Sequence, residues 1–384
     1  MGSHISVGAV IAEFNPFHNG HKYLLERIKK DNDAAAAIMS GNFVQRGDIA
    51  VFDKFTRAKA AISAGFDLVI ELPAEYAVNG AEMFAYGGVC TAEKTGCINS
   101  LYFGSECADI VKITKAANCI LSENTEQSAM LKSLLKEGYG YAAAYDKVFS
   151  EMTDADILAK PNNILGLEYV KALIRLKSSI IPHTFARINV QHNSAETKDG
   201  YASASLIRDM IYKRQDFSAF IPPECADIFH NAHIADKRAL DTMLLYVIRI
   251  LGKDYLKNIN GVSEGIENRI FECAKREYTL DGIADKVCTK RYSKARVRRI
   301  LISALLGIEK TVCTEPRYIR VLAMNKKGAE ILSVMKKTAS LPVITKAADF
   351  KKELSLENRA ADIFSICASL PSGMEFTSRI FADV

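Results

Sequence analysis

Residues 7–30 read VGAVIAEFNPFHNGHKYLLERIKK, and this stretch predicts the fold. Its first eight residues form an apolar run with little alternation, which is typical of a central strand covered on both faces. We expect the strand to end at Asn15, because a proline follows and cannot donate to a β ladder. A helix is predicted over residues 21–30, starting from Asn19 or Gly20, with three apolar side chains on one side: Leu24, Leu25 and Ile28. Strand, short loop and helix in this order are typical of a β-α-β unit in an α/β fold.

The alternation of apolar runs and helical segments continues to about residue 181. Further strands are predicted at residues 34–39, 67–72, 100–103 and 179–182. Helices are predicted at residues 53–65, 109–121, 126–137 and 163–176. Right-handed crossovers place the loops after the strands at one edge of a parallel sheet, where ligands bind in such folds. We therefore expect the site in the loops that begin at Asn15, Ser40, Pro73 and Gly104.

The second half of the chain has a different pattern. From about residue 209 the strand signal fades, and long helical segments such as residues 239–251 and 295–306 dominate. We predict two domains: an α/β domain with a Rossmann-like parallel sheet over residues 5–210, and a mostly α-helical domain over residues 211–384.

Composition sets further bounds. A length of 384 residues fits about two domains, and 49% apolar with 25% charged residues excludes disordered and fibrous proteins. The formal charge of +5 is too small to imply a polyanionic partner by itself. The nine cysteines form no C-x-x-C pair, which argues against a zinc site and for reduced thiols in a cytoplasmic protein. Since no apolar run of about 18 residues exists, we expect no membrane span.

The segment between the first strand and the first helix contains the strongest chemical signal. A helix N-terminus presents unpaired N–H groups and the positive end of the helix dipole, which suit a phosphate group. Gly20 allows close approach of the backbone, and His18 and His21 present two imidazoles about one turn apart. Such donors can stabilise charge on a phosphoryl group during its transfer. Alternatively, both imidazoles serve only the backbone groups of the loop and the helix cap.

This segment resembles the H-x-G-H signature of the nucleotidyltransferase superfamily, whose members move a nucleotidyl group from ATP and release pyrophosphate. The resemblance implies a second signature, a Ser/Thr-rich helix start followed by Arg, and residues 203–208 read SASLIR. Hydroxyls at a helix N-terminus and the guanidinium of Arg208 suit the β- and γ-phosphates. The alternative is that Ser203 is a plain N-cap and Arg208 a surface residue.

Five further blocks together resemble the bacterial tRNA(Met) cytidine acetate ligase family: residues 39–48, 53–57, 67–73, 103–106 and 161–166. The resemblance covers roughly the first 210 residues and is weaker beyond them. It implies an enzyme that activates acetate with ATP as acetyl-adenylate. The acetyl group then passes to the exocyclic amine of the wobble cytidine of elongator tRNA(Met), giving N4-acetylcytidine without acetyl-coenzyme A. The superfamily usually has Thr or Ser at the position of Asn15, and the asparagine here matches the tRNA(Met) cytidine acetate ligase branch.

The resemblance also implies site residues. The catalytic set is His18, His21 and Lys22. The ATP-binding set, with Mg²⁺ accompanying the nucleotide, is Ile11, Ala12, Glu13, Phe14, Asn15, Pro16, Phe17, Asn19, Gly20, Gly104, Asn162, Asn163, Arg187, Ser203, Ser205 and Arg208. Asn162 and Asn163 have an alternative role as helix N-caps. Asp53, Lys54 and Arg57 fit either the rim of the pocket or a solvated helix face. No covalent nucleophile is expected, because the adenylate is already activated and positioning supplies much of the rate.

Residues 286–299 form the largest basic cluster, with seven Lys or Arg, no acidic residue and one aromatic, Tyr292. The apolar stripe of the helix predicted over residues 295–306 faces a core, and Arg296, Arg298 and Arg299 lie outside that stripe. We expect an RNA surface made of Lys290, Arg291, Tyr292, Arg296, Arg298 and Arg299, in which the arginines contact phosphates and Tyr292 stacks on an unpaired base. The alternative is an ordinary solvated face.

The predicted partners are therefore elongator tRNA(Met) and acetate, with no DNA and no membrane. Two other functions stay open. One is a small-molecule adenylyltransferase, which needs neither the basic cluster nor a large helical domain. The other is a non-catalytic RNA-binding protein with a nucleotide pocket, which predicts no turnover with any carboxylate.

Overall fold

The computed structural model describes residues 5–122, 125–137, 139, 144, 147–148, 157–158, 160–186, 200–263, 265–310 and 315–383. The strands are β1 (Val7–Ala12), β2 (Ala34–Ser40), β3 (Phe43–Val44), β4 (Asp48–Ile49), β5 (Leu68–Leu72), β6 (Ser100–Ser105), β7 (Ile181–Ala186), β8 (Ile319–Asn325), β9 (Val343–Ile344) and β10 (Phe381–Asp383). The helices are α1 (Asn19–Asp31), α2 (Lys54–Ser63), α3 (Ala74–Ala77), α4 (Ala81–Thr95), α5 (Ile110–Leu121), α6 (Thr125–Lys136), α7 (Pro161–Arg175), α8 (Ala204–Tyr212), α9 (Pro223–His230), α10 (Lys237–Lys257), α11 (Ile266–Ala274), α12 (Leu280–Val287), α13 (Lys294–Leu306), α14 (Lys326–Thr338), α15 (Ser355–Ala368) and α16 (Met374–Thr377).

The main sheet has the strand order β10-β8-β5-β2-β1-β6-β7, with β9 beside β8. Neighbouring strands run parallel except for β5 and β8, which are antiparallel. The predicted α/β class with a parallel sheet is confirmed. The last predicted strand, at residues 179–182, is observed further along the chain as β7, because Ile181 is the residue that pairs with Ser100 at the start of β6.

Helices cover both faces of the sheet, which explains the unbroken apolar runs of its central strands. The side chains of Ala34, Ala36 and Ile38 in β2 face a core built with α3, α4, α5, α7 and α14. The alternate side chains, including Ala35 and Met39, face a second core built with α1, α2, α8 and α9. Because alanine side chains are small, this strand lets helices pack closely on either side.

Helices α10 to α13 and α15 form a separate apolar core, which includes Leu244, Ile248, Leu301 and Phe364. This confirms the predicted mostly helical character of the second half. Among the helices that the structure describes, none is long and apolar enough to cross a membrane. No disulfide links the cysteines within the described ranges.

The sheet takes three strands from the end of the chain, which the sequence pattern did not predict. Residues 319–383 lie within the predicted helical domain, but β8, β9 and β10 extend the sheet beyond β5. The alternation along β8 directs Val321 into one of the two sheet cores and Leu322 into the other. The main sheet therefore contains strands from both sides of residue 210. Its edge at β5 is completed by residues more than 240 positions later, and Ala323, for example, lies opposite Val69.

Candidate active site

His18 is the N-cap of α1. Its Nδ1 accepts a hydrogen bond from the backbone N–H of Gly20 at 3.1 Å, and Nδ1 of His21 accepts from the backbone N–H of His18 at 3.2 Å. The two side chains therefore form a reciprocal capping box, with histidines in place of the usual Ser/Thr and Glu. Their rings stack with centroids 3.7 Å apart and planes at 21°. The alternative role, in which the imidazoles serve backbone groups of the loop and the helix cap, is therefore correct for Nδ1 of each ring.

The same hydrogen bonds determine what the other ring nitrogen offers. A neutral imidazole whose Nδ1 accepts a proton carries its own proton on Nε2. Each of the two histidines therefore presents an Nε2–H donor while its Nδ1 holds the helix start. Capping and phosphate binding are compatible roles, because they use different atoms of the same ring.

Close packing fixes the orientation of these rings. A Cβ on Gly20 would lie 2.9 Å from Cε1 of His18, so only glycine fits beneath that ring. On its other side, His21 contacts Phe14 and Phe17, with ring centroids 4.9 and 5.4 Å away. Both phenylalanines are fully buried, so their role is to support the imidazole from the core.

The structure brings the second motif to the first. Arg208 on α8 donates from Nη1 to the backbone oxygen of Asn15 at 2.8 Å. Ser203 caps α8 by accepting from the N–H of Leu206, and its Oγ lies 3.2 Å from Oγ of Ser205. Ser203 is therefore an N-cap, as its alternative role predicted. Arg208 is half-buried and bonded to the first loop, so it is not a plain surface residue, and burial lowers its pKa.

The remaining residues of the first loop are held by backbone contacts. Asn15 is buried, and its Oδ1 accepts from the N–H of Val51 at 2.9 Å. Asn19 donates from Nδ2 to the oxygens of Gly200 at 2.8 Å and Ala219 at 3.1 Å, which ties α1 to the segments around α8. Ile11 and Ala12 end β1, and Pro16 lies within the loop.

Arg57 holds the ends of two strands together. Its guanidinium is fully buried and donates to the backbone oxygens of Glu13 at 2.6 Å, Ser40 at 3.1 Å and Phe52 at 2.9 Å, and also to that of Gly41. Glu13 and Ser40 lie at the ends of β1 and β2. The solvated helix face is therefore wrong for Arg57, because its side chain is buried under the loops, whereas a role at the pocket rim stays a prediction.

Lys54 is also buried, in an ion cluster behind the loops. Its Nζ lies 2.6 Å from Oε2 of Glu71 on β5 and 2.5 Å from Oε2 of Glu375 on α16, and Arg320 on β8 pairs with Glu375 at 3.2 Å. Burial raises the pKa of Glu71 to about 7 against the lowering effect of Lys54. Asp53 caps α2 through the N–H groups of its first turn. Glu71 and Glu375 were not predicted from the sequence, because no local pattern links either residue to Lys54.

Asn162 and Asn163 contact the loop after β6. Glu106 accepts from the backbone N–H of Asn163 at 2.8 Å and from Nδ2 of Asn162 at 2.6 Å, while Oδ1 of Asn163 accepts from the N–H of Glu106 at 2.9 Å. Neither asparagine is the N-cap, which is Lys160, and it is Glu106 that caps the first turn of α7. This clamp positions the end of β6, which contains Gly104 and lies directly beside β1.

The backbone N–H of Lys22 donates to the oxygen of His18 at 3.2 Å, but the Lys22 side chain contacts other elements. Nζ of Lys22 donates to the oxygen of Ala64 at 2.7 Å and pairs with Glu224 at 3.1 Å, which favours a packing role between α2 and α9 over phosphate binding. Arg187 lies outside the described residues.

The basic cluster is only partly a solvated surface. Tyr292 is 8% exposed, its hydroxyl donates to the oxygen of Ser263 at 2.7 Å, and Arg296 lies 4.6 Å above its ring. This burial and the hydroxyl's bond argue against stacking of Tyr292 on RNA. Arg298 pairs with Asp48 at 2.9 Å and with Asp281, and Arg299 contacts Gln45, so both face the first half of the chain.

Lys290 and Arg291 are exposed, and they stay candidates for RNA contact. The apolar stripe of α13 is buried as predicted. Arg298 and Arg299, which the helix pattern alone places in solvent, are instead in contact with Asp48 and Gln45.

Comparison with known proteins identifies the family. The family model for HIGH Nucleotidyl Transferase matches residues 5–377. A tRNA(Met) cytidine acetate ligase of Acetivibrio thermocellus is 37% identical over 412 aligned residues, covering 98% of this chain and 99% of the relative. A ligase of the same name from Thermoanaerobacter sp. is 39% identical over 362 residues, covering 90% of each.

Solved structures give the same result. The crystal structure of Thermotoga maritima TmcAL in its apo form superposes with a TM-score of 0.91 at 29% identity, covering 98% of this chain and 99% of that one. A second form, bound with alpha-thio ATP, superposes with a TM-score of 0.88 at 29% identity over 98% and 100% of the chains. By its match to the family model and its identity to these relatives over nearly its whole length, the chain belongs to the HIGH nucleotidyl transferases and, among them, to the family of tRNA(Met) cytidine acetate ligases.

Proposed function

We propose that the protein is an ATP-dependent ligase that activates acetate as acetyl-adenylate and acetylates the exocyclic amine of the wobble cytidine of elongator tRNA(Met), giving N4-acetylcytidine. The observation that carries this proposal is the junction of the two motifs, where Arg208 bonds to Asn15 beside the capping box of His18 and His21. The names of the relatives support the reaction, and the alpha-thio ATP bound to the Thermotoga maritima protein supports ATP as its substrate.

The first step requires charge neutralisation more than a nucleophile. An acetate oxygen attacks the α-phosphorus of ATP, the bond to the β-phosphate oxygen breaks, and pyrophosphate leaves. Negative charge accumulates on the phosphoryl oxygens during this displacement. The N-terminus of α1, the Nε2–H donors of His18 and His21 and the guanidinium of Arg208 supply positive potential on one side of the loop.

Mg²⁺ fits this scheme as a companion of the triphosphate. Within the described ranges, no three His, Cys, Asp or Glu side chains are grouped so as to hold a metal ion. Magnesium commonly keeps several waters and is bound through substrate phosphates and few protein groups. When bound with the nucleotide, Mg²⁺ would screen the charge of the phosphate oxygens.

The second step transfers the acetyl group. The N4 amine of the cytidine attacks the acetyl carbonyl, AMP leaves, and the amine loses a proton. No covalent enzyme intermediate is needed, and the buried thiols suit none, because burial raises the pKa of Cys225 to about 12 and that of Cys90 to about 11. Positioning of the amine against the adenylate supplies the rate.

Transfer RNA requires a basic surface at a distance from the nucleotide. We assign this surface to the helical region of residues 211–310, with Lys290 and Arg291 as exposed phosphate contacts. DNA and membranes have no part in the proposed reaction, and the cytoplasm supplies all three substrates. A small-molecule adenylyltransferase and a non-catalytic RNA-binding protein are disfavoured, since the similar curated proteins are named as tRNA ligases.

The test is incubation with ATP, labelled acetate and bulk tRNA without coenzyme A, followed by mass spectrometry of the nucleosides. We expect label in N4-acetylcytidine, and acetate-dependent exchange of pyrophosphate into ATP even without RNA. His18→Ala and His21→Ala should each lower that exchange by about 10²-fold or more, as for removal of an oxyanion donor. Exchange that does not depend on acetate, or a strict need for coenzyme A, would reject the proposal.

A further inference from the structure

A cavity of about 560 Å³ lies beside the loop after β1. Its volume is within the range of small-molecule sites in proteins, about 300–1,000 Å³. Two hydrogen bonds of that loop lead to the segments that line the cavity. Asn15 accepts from the N–H of Val51, which precedes the wall residue Phe52, and Asn19 donates to the oxygen of Ala219, two positions after another wall residue. The cavity therefore adjoins the candidate active site.

The cavity lies on the β2 side of β1, whereas other predicted nucleotide contacts lie on the β6 side. In the sheet, β1 is the strand between β2 and β6. Gly104 is near the end of β6 and Asn162 contacts the loop that follows it, but Phe52 belongs to the segment between β2 and β5. Along α8, Arg214 at the cavity lies six positions beyond Arg208, or about 9 Å along the helix axis. The cavity is therefore close to the corner but separate from the ATP contacts implied at β6.

The wall of the cavity is apolar and aromatic, and its rim is polar. The rings of Phe52 and Phe229 stack with centroids 4.9 Å apart and planes at 9°. At the rim, Arg214, Gln215 and Asp216 follow α8 as three consecutive exposed residues. Such a wall with a few polar groups beside it is typical of a site for a ligand that has both an apolar face and polar edges.

The three rim side chains offer different groups to a ligand. Asp216 has a fixed position, because it accepts from the N–H of Ser218 at 2.9 Å, and Oγ of Ser218 lies 2.9 Å from Nε2 of His230. Within the described ranges, the side chains of Arg214 and Gln215 form no hydrogen bond or ion pair with the protein. Arg214 can therefore bind a phosphate, while the amide of Gln215 and the carboxylate of Asp216 can pair with the edge of a base.

We propose that this cavity binds an unpaired nucleotide of the tRNA that neighbours the acetylated cytidine. This inference rests on the proposed function. Of the three substrates, acetate is much too small to fill the cavity, and the phosphates of ATP are assigned to the N-terminus of α1. Proteins that recognise RNA loops place unpaired bases against aromatic side chains and read the base edges by hydrogen bonds.

Each group of the cavity then has a role in choosing the RNA. Arg214 holds the phosphate of the bound nucleotide, which fixes its position but carries no information about the sequence. Gln215 and Asp216 read the base, because an amide and a carboxylate pair with different sets of donors and acceptors. The cavity is therefore a specificity site of the proposed reaction and takes no part in its chemical steps.

Equilibrium binding tests the proposal without requiring turnover. The affinities for elongator tRNA(Met) and for ATP are measured by filter binding and calorimetry for wild type, Arg214→Ala and Gln215→Ala. The matched control is Lys213→Ala, which removes a neighbouring exposed cation that pairs with Asp209 and lies outside the cavity wall. Arg214 has a φ of +56°, and alanine keeps a Cβ there, so the backbone cost of this conformation stays the same. Thermal unfolding checks that each variant is folded.

Arg214→Ala should weaken tRNA binding by about tenfold or more and leave ATP affinity unchanged, because one charge-assisted hydrogen bond to phosphate is lost. Gln215→Ala should lower, by about fivefold or more, the preference for the native tRNA over tRNAs in which one neighbour of the wobble cytidine is replaced.

Two results would overturn the proposal. One is that the tRNA affinities and base preferences of both variants stay within about twofold of the Lys213→Ala values. The other is weaker ATP binding with unchanged tRNA binding, which would assign the cavity to the nucleotide. Absence of acetate-dependent pyrophosphate exchange in wild type would instead refute the proposed reaction, and the comparison of variants would still decide what the cavity binds.

Discussion

Replacement of Lys54 by methionine tests how the buried ion cluster supports the site. Methionine has a similar length but no charge, so Lys54→Met leaves the carboxylates of Glu71 and Glu375 without their shared partner. Lys54 Nζ lies 2.6 Å from the first and 2.5 Å from the second, and both carboxylates are fully buried. Among the residues that the structure describes, Arg320 continues to pair with Glu375.

The expected loss follows from this geometry. Removal of one partner of a buried ion pair costs about 3–5 kcal/mol, because the remaining charge has neither water nor a counter-ion. Total unfolding free energies are about 5–15 kcal/mol, so the variant loses a large part of its stability. Lys54→Met combined with Glu71→Gln should recover part of the loss, since one unpaired charge fewer is buried.

The pH dependence has a defined sign. Lys54 lowers the pKa of Glu71, so its removal raises that pKa above the value of about 7 in wild type. A carboxyl group whose pKa is higher in the folded state binds its proton more tightly there than in the unfolded state. The variant should therefore regain stability as the pH falls from about 8 to about 5, where Glu71 becomes neutral in the folded protein.

Urea unfolding at both pH values measures these effects. The matched control is Lys59→Met, the same substitution on the same helix at an exposed site, where Nζ lies 5.4 Å from the ring centroid of Phe381. An exposed cation–π contact is worth at most about 1 kcal/mol. If Lys54→Met loses no more than this control, or loses the same amount at both pH values, the reasoning from a buried charged cluster is refuted.

Three further predictions concern the helical region and the end of the chain. Tyr292→Phe should cost about 1 kcal/mol of unfolding free energy through the lost hydrogen bond to Ser263, and leave tRNA affinity unchanged; a tenfold weaker affinity would restore the stacking role. Lys290→Glu with Arg291→Glu should weaken tRNA binding and lower its salt slope by about 2, with unchanged pyrophosphate exchange, whereas unaltered affinity would move the RNA surface elsewhere. A fragment of residues 1–310 lacks β8 and Glu375, so we expect it to aggregate through the open edge of β5, and a monomeric, folded fragment in sedimentation and circular dichroism would contradict this.

The capping residues show which contacts a local stretch of sequence can predict. His18, Gly20 and His21 lie within four positions of one another, so a pattern of residue types identifies them and the structure adds only which nitrogen does what. Arg208 is predicted from the second signature that the family resemblance implies, a helix start with hydroxyls followed by Arg. Its bond to Asn15 spans 193 positions and leaves no local signal.

The basic cluster shows where such reasoning fails. Seven Lys or Arg within 14 residues look like a solvated face when only one helix is considered. Arg298 and Arg299 are instead covered by the β3–β4 hairpin, whose Asp48 and Gln45 lie about 250 positions earlier in the chain. Exposure depends on what packs against a helix, and the periodicity of a helix does not contain that information.

By itself, the sequence determined the order of strand, loop and helix, the two-sided burial of β1 and β2, and the histidines at the first helix start, because each follows from side chains adjacent in the chain or one turn apart. Only the tertiary structure decided that β8 pairs with β5, that Lys54 is neutralised by Glu375, and that Arg208 reaches the loop after β1. These contacts join segments far apart in the chain, and their energies come from burial and charge pairing that exist only once the sheet has formed.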